Sequence, residues 1–148
     1  MEGLARKFFI TEDIEAVTQA IKEAEKETSG EIRVHIEEFC PKKNVLDRAA
    51  KVFADLKIHK TELRNGVLIY LAFRDKKFAI IGDKGINKKV EPDFWDAVRD
   101  IMQEHFRRSE FTLGLVHAIQ QAGIQLKKYF PYQKDDINEL SDEVSFGD

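Results

Sequence analysis

The chain has 148 residues, a net charge of -3 and one cysteine. That length suits a single domain able to bury roughly 68–70% of its unfolded surface with no covalent staple. The lone thiol excludes an intrachain disulfide and a cysteine-rich zinc site, and the negative balance argues against general nucleic-acid binding, which depends on clustered positive charge.

The first ten residues hold Arg6 and Lys7 but neither a long apolar segment nor a small-residue cleavage pattern. The expectation is a cytoplasmic chain with no membrane span. Thr11 offers a hydroxyl cap, Glu12 and Asp13 suit the positive first turn, and Ile14, Val17, Ala20, Ile21 and Ala24 follow at helical spacing. Phe9 or Ile10 is placed to staple the start of that helix, and Ser29-Gly30 ends it. Residues 31–38 alternate, with Ile32, Val34 and Ile36 on one face and Arg33, His35 and Glu37 on the other. This pattern predicts a half-buried strand at a sheet edge. After the turn at Cys40–Lys43, Asn44 can cap a second helix whose stripe is Val45, Ala49, Val52, Phe53 and Leu56.

Residues 66–73 read as a central strand, apolar on both faces, so both faces need covers. The tetrad Arg74–Lys77 is short enough for a hairpin, which makes 77–83 an antiparallel partner. The first two strands, separated by a helix, are expected parallel, giving a small mixed α/β sheet of order 1-2-3. Gly82-Asp83-Lys84-Gly85 reads as a flexible turn carrying a carboxylate. Pro92 suits a helix start, with Phe94, Trp95, Val98, Ile101, Met102 and Phe106 as its stripe. Residues 111–130 form the last helix, where Gly114 and Gly123 each cost about 1 kcal/mol relative to Ala and permit close packing. Pro131 closes the domain (1–131). Beyond it, residues 132–148 carry six acids against Lys134 and read as a flexible tail.

The strand arrangement brings carboxylates to one rim. Asp83, at the end of strand three, falls beside Asn65. Glu31 starts the parallel strand at the same edge, and Glu62 lies just upstream of it. Such an oxygen-rich set favours calcium or magnesium over zinc, and a dication makes mutually repelling acids compatible. The alternative is acids solvated on a charged surface. The glycine turn can present N–H groups to an anion, yet no phosphate-loop pattern accompanies it. His35, His59, His105 and His117 sit on separate elements without metal-ligand spacing and read as packing or surface residues. Cys40 has no histidine near it in sequence and reads as an inert thiol.

Three runs, Ser29-Gly30-Glu31-Ile32-Arg33-Val34, Arg64-Asn65-Gly66-Val67-Leu68-Ile69 and Ile81-Gly82-Asp83-Lys84-Gly85-Ile86, together with Phe94-Trp95 and Phe106…Gly114-Leu115, resemble the TPM domain family over about residues 8–131. The chain looks like the stand-alone branch of that family. The resemblance implies a three-layer α/β/α sandwich, calcium or other divalent binding in some members, and an acid-phosphatase activity. Many relatives carry Asp-Asn-Gly before the central strand. Here Arg64 stands in place of that Asp, while Asn65, Gly66 and Asp83 still fit. The resulting expectation is a non-catalytic, divalent-cation-binding interaction module, calcium preferred over magnesium. It would be monomeric and would serve a protein partner in a membrane-associated complex. The alternative is a metal-assisted phosphomonoesterase, with Asp83 holding the ion and Arg64 clamping the substrate.

Overall fold

The computed structural model describes residues 8–133 and 139–147. Its elements in chain order are α1 (Thr11–Glu25), β1 (Glu31–Glu37), α2 (Val45–Asp55), β2 (Gly66–Ala72), β3 (Lys77–Gly82), α3 (Lys84–Asn87), α4 (Asp96–Arg107), α5 (Phe111–Tyr129) and β4 (Ser145–Phe146). The sheet order is β3-β2-β1-β4. β1 runs parallel to β2 with Glu31 opposite Gly66, and β2 runs antiparallel to β3 with Val67 opposite Gly82.

Every residue of β2 is buried, and its alternation divides two cores. Val67, Ile69 and Leu71 join β1's Ile32, Val34 and Ile36 beneath α1, α4 and α5. Leu68, Tyr70 and Ala72 join Ala49 and Val52 of α2 on the other face. Helices therefore cover both faces, the α/β/α arrangement that a doubly apolar strand demands. The two glycines of α5 serve close packing: a Cβ at Gly114 would lie 2.7 Å from the Cβ of His105, and one at Gly123 would lie 2.9 Å from that of Ala24.

Local details depart from the sequence reading. α1 is capped from within, because the Asp13 carboxylate accepts from the Ile10 amide at 3.2 Å, so Thr11 is its first helical residue. Asn44 does cap α2, accepting from the Leu46 amide at 2.9 Å. α4 begins at Asp96, four residues beyond Pro92. The run after Gly82 is a one-turn helix capped by Asp83 rather than a flexible turn. β1 is no edge strand at its C-terminal end, because β4 pairs with it in parallel, Ser145 opposite His35 and Phe146 opposite Ile36. Where a flexible tail was expected, residues 139–147 instead return to the sheet: Val144 is buried in the larger core and Leu140 packs against the smaller one. The rest of that expectation, 134–138 and Asp148, lies outside the described residues.

α3 is pinned where the chain crosses itself. The Gly85 amide donates to the Arg64 carbonyl at 2.9 Å, and a Cβ on Gly85 would lie 2.1 Å from the Leu63 oxygen and 2.5 Å from that of Arg64. Backbone cannot yield as a side-chain tip can, so Gly85→Ala is expected to destabilise by about 1–3 kcal/mol. Gly30→Ala, which meets only the Leu126 side chain and the Thr28 hydroxyl, should cost less. Urea denaturation of both variants checks the ranking.

Candidate cation-binding rim

The register places Glu31 opposite Gly66 on adjacent strands, and Asp83, one residue past the end of β3, joins them through its amide, which donates to the Gly66 carbonyl at 2.9 Å. The backbone positions expected at one rim do meet there, but their side chains divide. Asp83 is committed to Arg64, whose Nε donates to Oδ2 at 2.7 Å and whose Nη2 donates to Oδ1 at 3.0 Å. Oδ1 also accepts from the Lys84 amide as the cap of α3. A guanidinium thus occupies the oxygens that an ion would take. Asn65 is buried and donates from Nδ2 to the Ser29 carbonyl at 3.3 Å, tying the start of β2 to the turn before β1. The Glu62 side chain is exposed, and its amide donates to Glu139 at 3.2 Å.

Glu31 is different. It is buried, its Oε1 accepts from the Leu140 amide at 2.7 Å, and the acids Glu139 and Asp142 of the returning segment stand nearby. Burial first, then the charge of Glu139, raises its carboxyl to about 7. Glu25, at the end of α1, accepts from the Ile32 amide at 2.8 Å and is hydrogen-bonded to the Asp142 side chain. Burial and that neighbour raise it to about 9. Glu25 and Asp142 line a cleft of about 390 Å³ together with Lys22, Lys26 and Tyr132. The sequence reading missed Glu25, Glu139 and Asp142. The signal that could have found them is the acidity of the tail, once the tail is known to return. Among the described residues, no three His, Cys, Asp or Glu side chains converge closely enough to hold a metal.

A second polar assembly sits at the other end of β1. Arg48 of α2 grips the buried Glu37 with Nε to Oε2 at 2.8 Å and Nη2 to Oε1 at 2.7 Å, and the Tyr70 hydroxyl donates to the same carboxylate. Burial pushes the Glu37 carboxyl up, but hydrogen bonds from Arg48, His35 and Tyr70 outweigh it and lower it to about 2. Burial and the Glu37 charge together raise the Tyr70 phenol. His35 spans Ser145 Oγ at 2.7 Å from Nδ1 and Glu37 Oε1 at 3.4 Å from Nε2. The serine, histidine and carboxylate superficially resemble a nucleophilic triad. Ser145 Oγ also lies 3.2 Å from the Val34 carbonyl, a second acceptor within reach of its hydroxyl. The group clamps β4 to β1.

The TPM domain profile matches residues 5–125. The chain belongs to the TPM domain family. Among solved structures, the BA42 protein of the psychrophilic bacterium Bizionia argentinensis is 51% identical, with 95% of this chain and 96% of that one covered and a TM-score of 0.89. The N-terminal domain of the cg2496 protein of Corynebacterium glutamicum is 11% identical, covers 94% and 80%, and has a TM-score of 0.63, a likeness of fold alone. No curated protein matches significantly. Among the described residues of this TPM domain, no helix is long and apolar enough to cross a membrane.

The raised and lowered carboxyls act on stability at opposite ends of the pH scale. Glu37 lies below the ordinary 4.5, so its contribution is present above that value and is lost as pH falls towards about 2. Glu25 and Glu31 lie above it, so the folded chain holds protons that the unfolded chain releases. Their contribution is complete below 4.5 and fades as pH rises through about 7 for Glu31 and about 9 for Glu25. In Glu25→Gln, melting temperatures followed across this range should match the parent at the acid end and exceed it at the alkaline end.

Proposed function

We propose that this TPM domain is a non-catalytic interaction module that takes a divalent cation at the rim where residues 139–142 cross the start of β1. The observation that carries the reading is the placement of the buried Glu25 and Glu31 beside Asp142 and Glu139: burial first and these neighbouring acids second hold two carboxyls above their ordinary range, and an ion would draw together acids that do not converge on one point by themselves. A doubly positive ion relieves the same repulsion that protons relieve. The donor set is all oxygen, which suits a hard cation. Calcium tolerates several carboxylates in irregular geometry, whereas magnesium demands a near-ideal octahedron and keeps its waters. Glu31 is retained from the sequence reading. Asp83 is replaced by Glu25, Glu139 and Asp142, because Arg64 already neutralises it.

The non-catalytic part rests on the state of the other acids. Asp83 and Glu37 are each gripped by an arginine, and neither is free as a general base or a nucleophile. Phosphomonoester hydrolysis, the alternative, draws support from the family resemblance alone. The partner is a protein, in line with the assembly roles that the resemblance implies. Calcium titration followed by calorimetry and amide NMR should give saturable binding that Glu31→Gln and Glu25→Gln each weaken by tenfold or more. No saturable response up to millimolar ion would reject the cation reading. An aryl-phosphate assay should give no turnover above blank, and turnover abolished by Asp83→Asn would reject the non-catalytic one.

A further inference from the structure

His105 and His117 stand on different helices, and the fold joins them. α4 and α5 approach so closely at Gly114 that a Cβ there would lie 2.7 Å from that of His105. One turn further along α5, His117 places Nδ1 3.2 Å from His105 Nε2, with the ring centroids 5.0 Å apart. Both residues are half-buried, within reach of solvent. On the far side of the His105 ring, Nδ1 lies 2.9 Å from Glu110 Oε1. A carboxylate at that nitrogen fixes the proton on Nδ1 and leaves a bare lone pair at Nε2, to which His117 donates its Nδ1–H.

We propose that His105 Nε2 and His117 Nδ1 form a two-histidine site for a transition-metal dication, zinc or copper, with water completing the coordination shell. Two nitrogens each 2.0–2.1 Å from a tetrahedral ion lie about 3.3 Å apart, close to the spacing already present. Rotation of the rings about their side-chain torsions turns both lone pairs onto one point. The proton that His117 carries at Nδ1 moves to its Nε2, so the imidazole stays neutral and no net proton is exchanged. Glu110 supplies the outer carboxylate that orients a ligating histidine and raises its basicity. Arg108 Nη2, 3.3 Å from Glu110 Oε1, and Glu104, 3.7 Å from Arg108, complete the surrounding charges. Nitrogen donors select zinc and copper, so this site is independent of the oxygen-lined rim.

The test is titration of the full chain with zinc chloride, read by calorimetry and by imidazole 15N NMR. One saturable site is expected, shifting the ring nitrogens of His105 and His117 and persisting in millimolar calcium. His105→Gln and His117→Gln should each weaken it at least tenfold, and Glu110→Gln about tenfold. Affinity unchanged in both histidine variants would overturn the assignment, as would zinc binding that moves neither ring. The ring-nitrogen readout uses the unaltered chain and so stands whether or not a variant folds.

Discussion

The complete burial of β2 is the constraint from which the rest of the structure follows. Seven consecutive residues, Gly66 to Ala72, are withdrawn from water, and a strand apolar on both faces cannot be satisfied by one layer of helices. The neighbours must therefore be strands, and the covers must come from both sides. α1, α4 and α5 close one face and α2 the other. A βαβ connection places α2 on its face between β1 and β2, and a short hairpin supplies β3. Burial also explains why Tyr70, the one polar side chain in the strand, must find an acceptor. Glu37 on β1 provides it, and Arg48 on α2 neutralises Glu37 in turn. Removing one member of such a buried pair costs about 3–5 kcal/mol, because the other is left charged without a partner.

Much of this was legible in the amino-acid pattern because it rests on periodicity. The run Val67–Phe73 declares a strand with two dry faces, Arg74–Lys77 declares a hairpin, and Asn44 declares a helix start. What periodicity cannot carry is pairing between charged groups distant in sequence. Asp83 reads as a free ligand until Arg64, nineteen residues earlier, is seen to straddle it. β4 has only two residues and stands in an acidic stretch with few apolar anchors, so no pattern of alternation reveals it. Its return decides the site, because Glu139 and Asp142 come with it. The two histidines fail the spacing test for the same reason: their proximity depends on how closely two helices pack at one glycine.

The buried acids on and around the sheet illustrate three answers to one electrostatic problem. Asp83 and Glu37 each receive a guanidinium in bidentate contact, which matches the planar carboxylate and needs nothing from solution. Glu31 receives a backbone amide, which is a dipole rather than a full charge, and its carboxyl stays high. Glu25 receives an amide and another acid, and its carboxyl is higher still. Where an arginine is supplied the network is closed. Where only amides are supplied, the remaining charge must come from a proton or an ion. The fold thus separates the two arginine-sealed acids, Asp83 and Glu37, from Glu25 and Glu31, whose charge balance depends on the medium.

The substitution at residue 64 gains its meaning from this separation. An acid there, the pattern that the family resemblance implies, would set two carboxylates beside the cap of α3 and leave that corner short of positive charge. Arg64 closes the corner and lets Asp83 serve α3 instead. The shortfall is then confined to the crossing of residues 139–142 over β1, where Lys22 and Lys26 line the cleft but the hydrogen-bond partner of Glu25 is Asp142. A cation at the proposed rim would therefore act on the docking of the C-terminal segment rather than on the α3 corner. That location favours a role in shaping a surface over a role in polarising a substrate, because the groups it would order are strand and segment rather than a nucleophile and a leaving group.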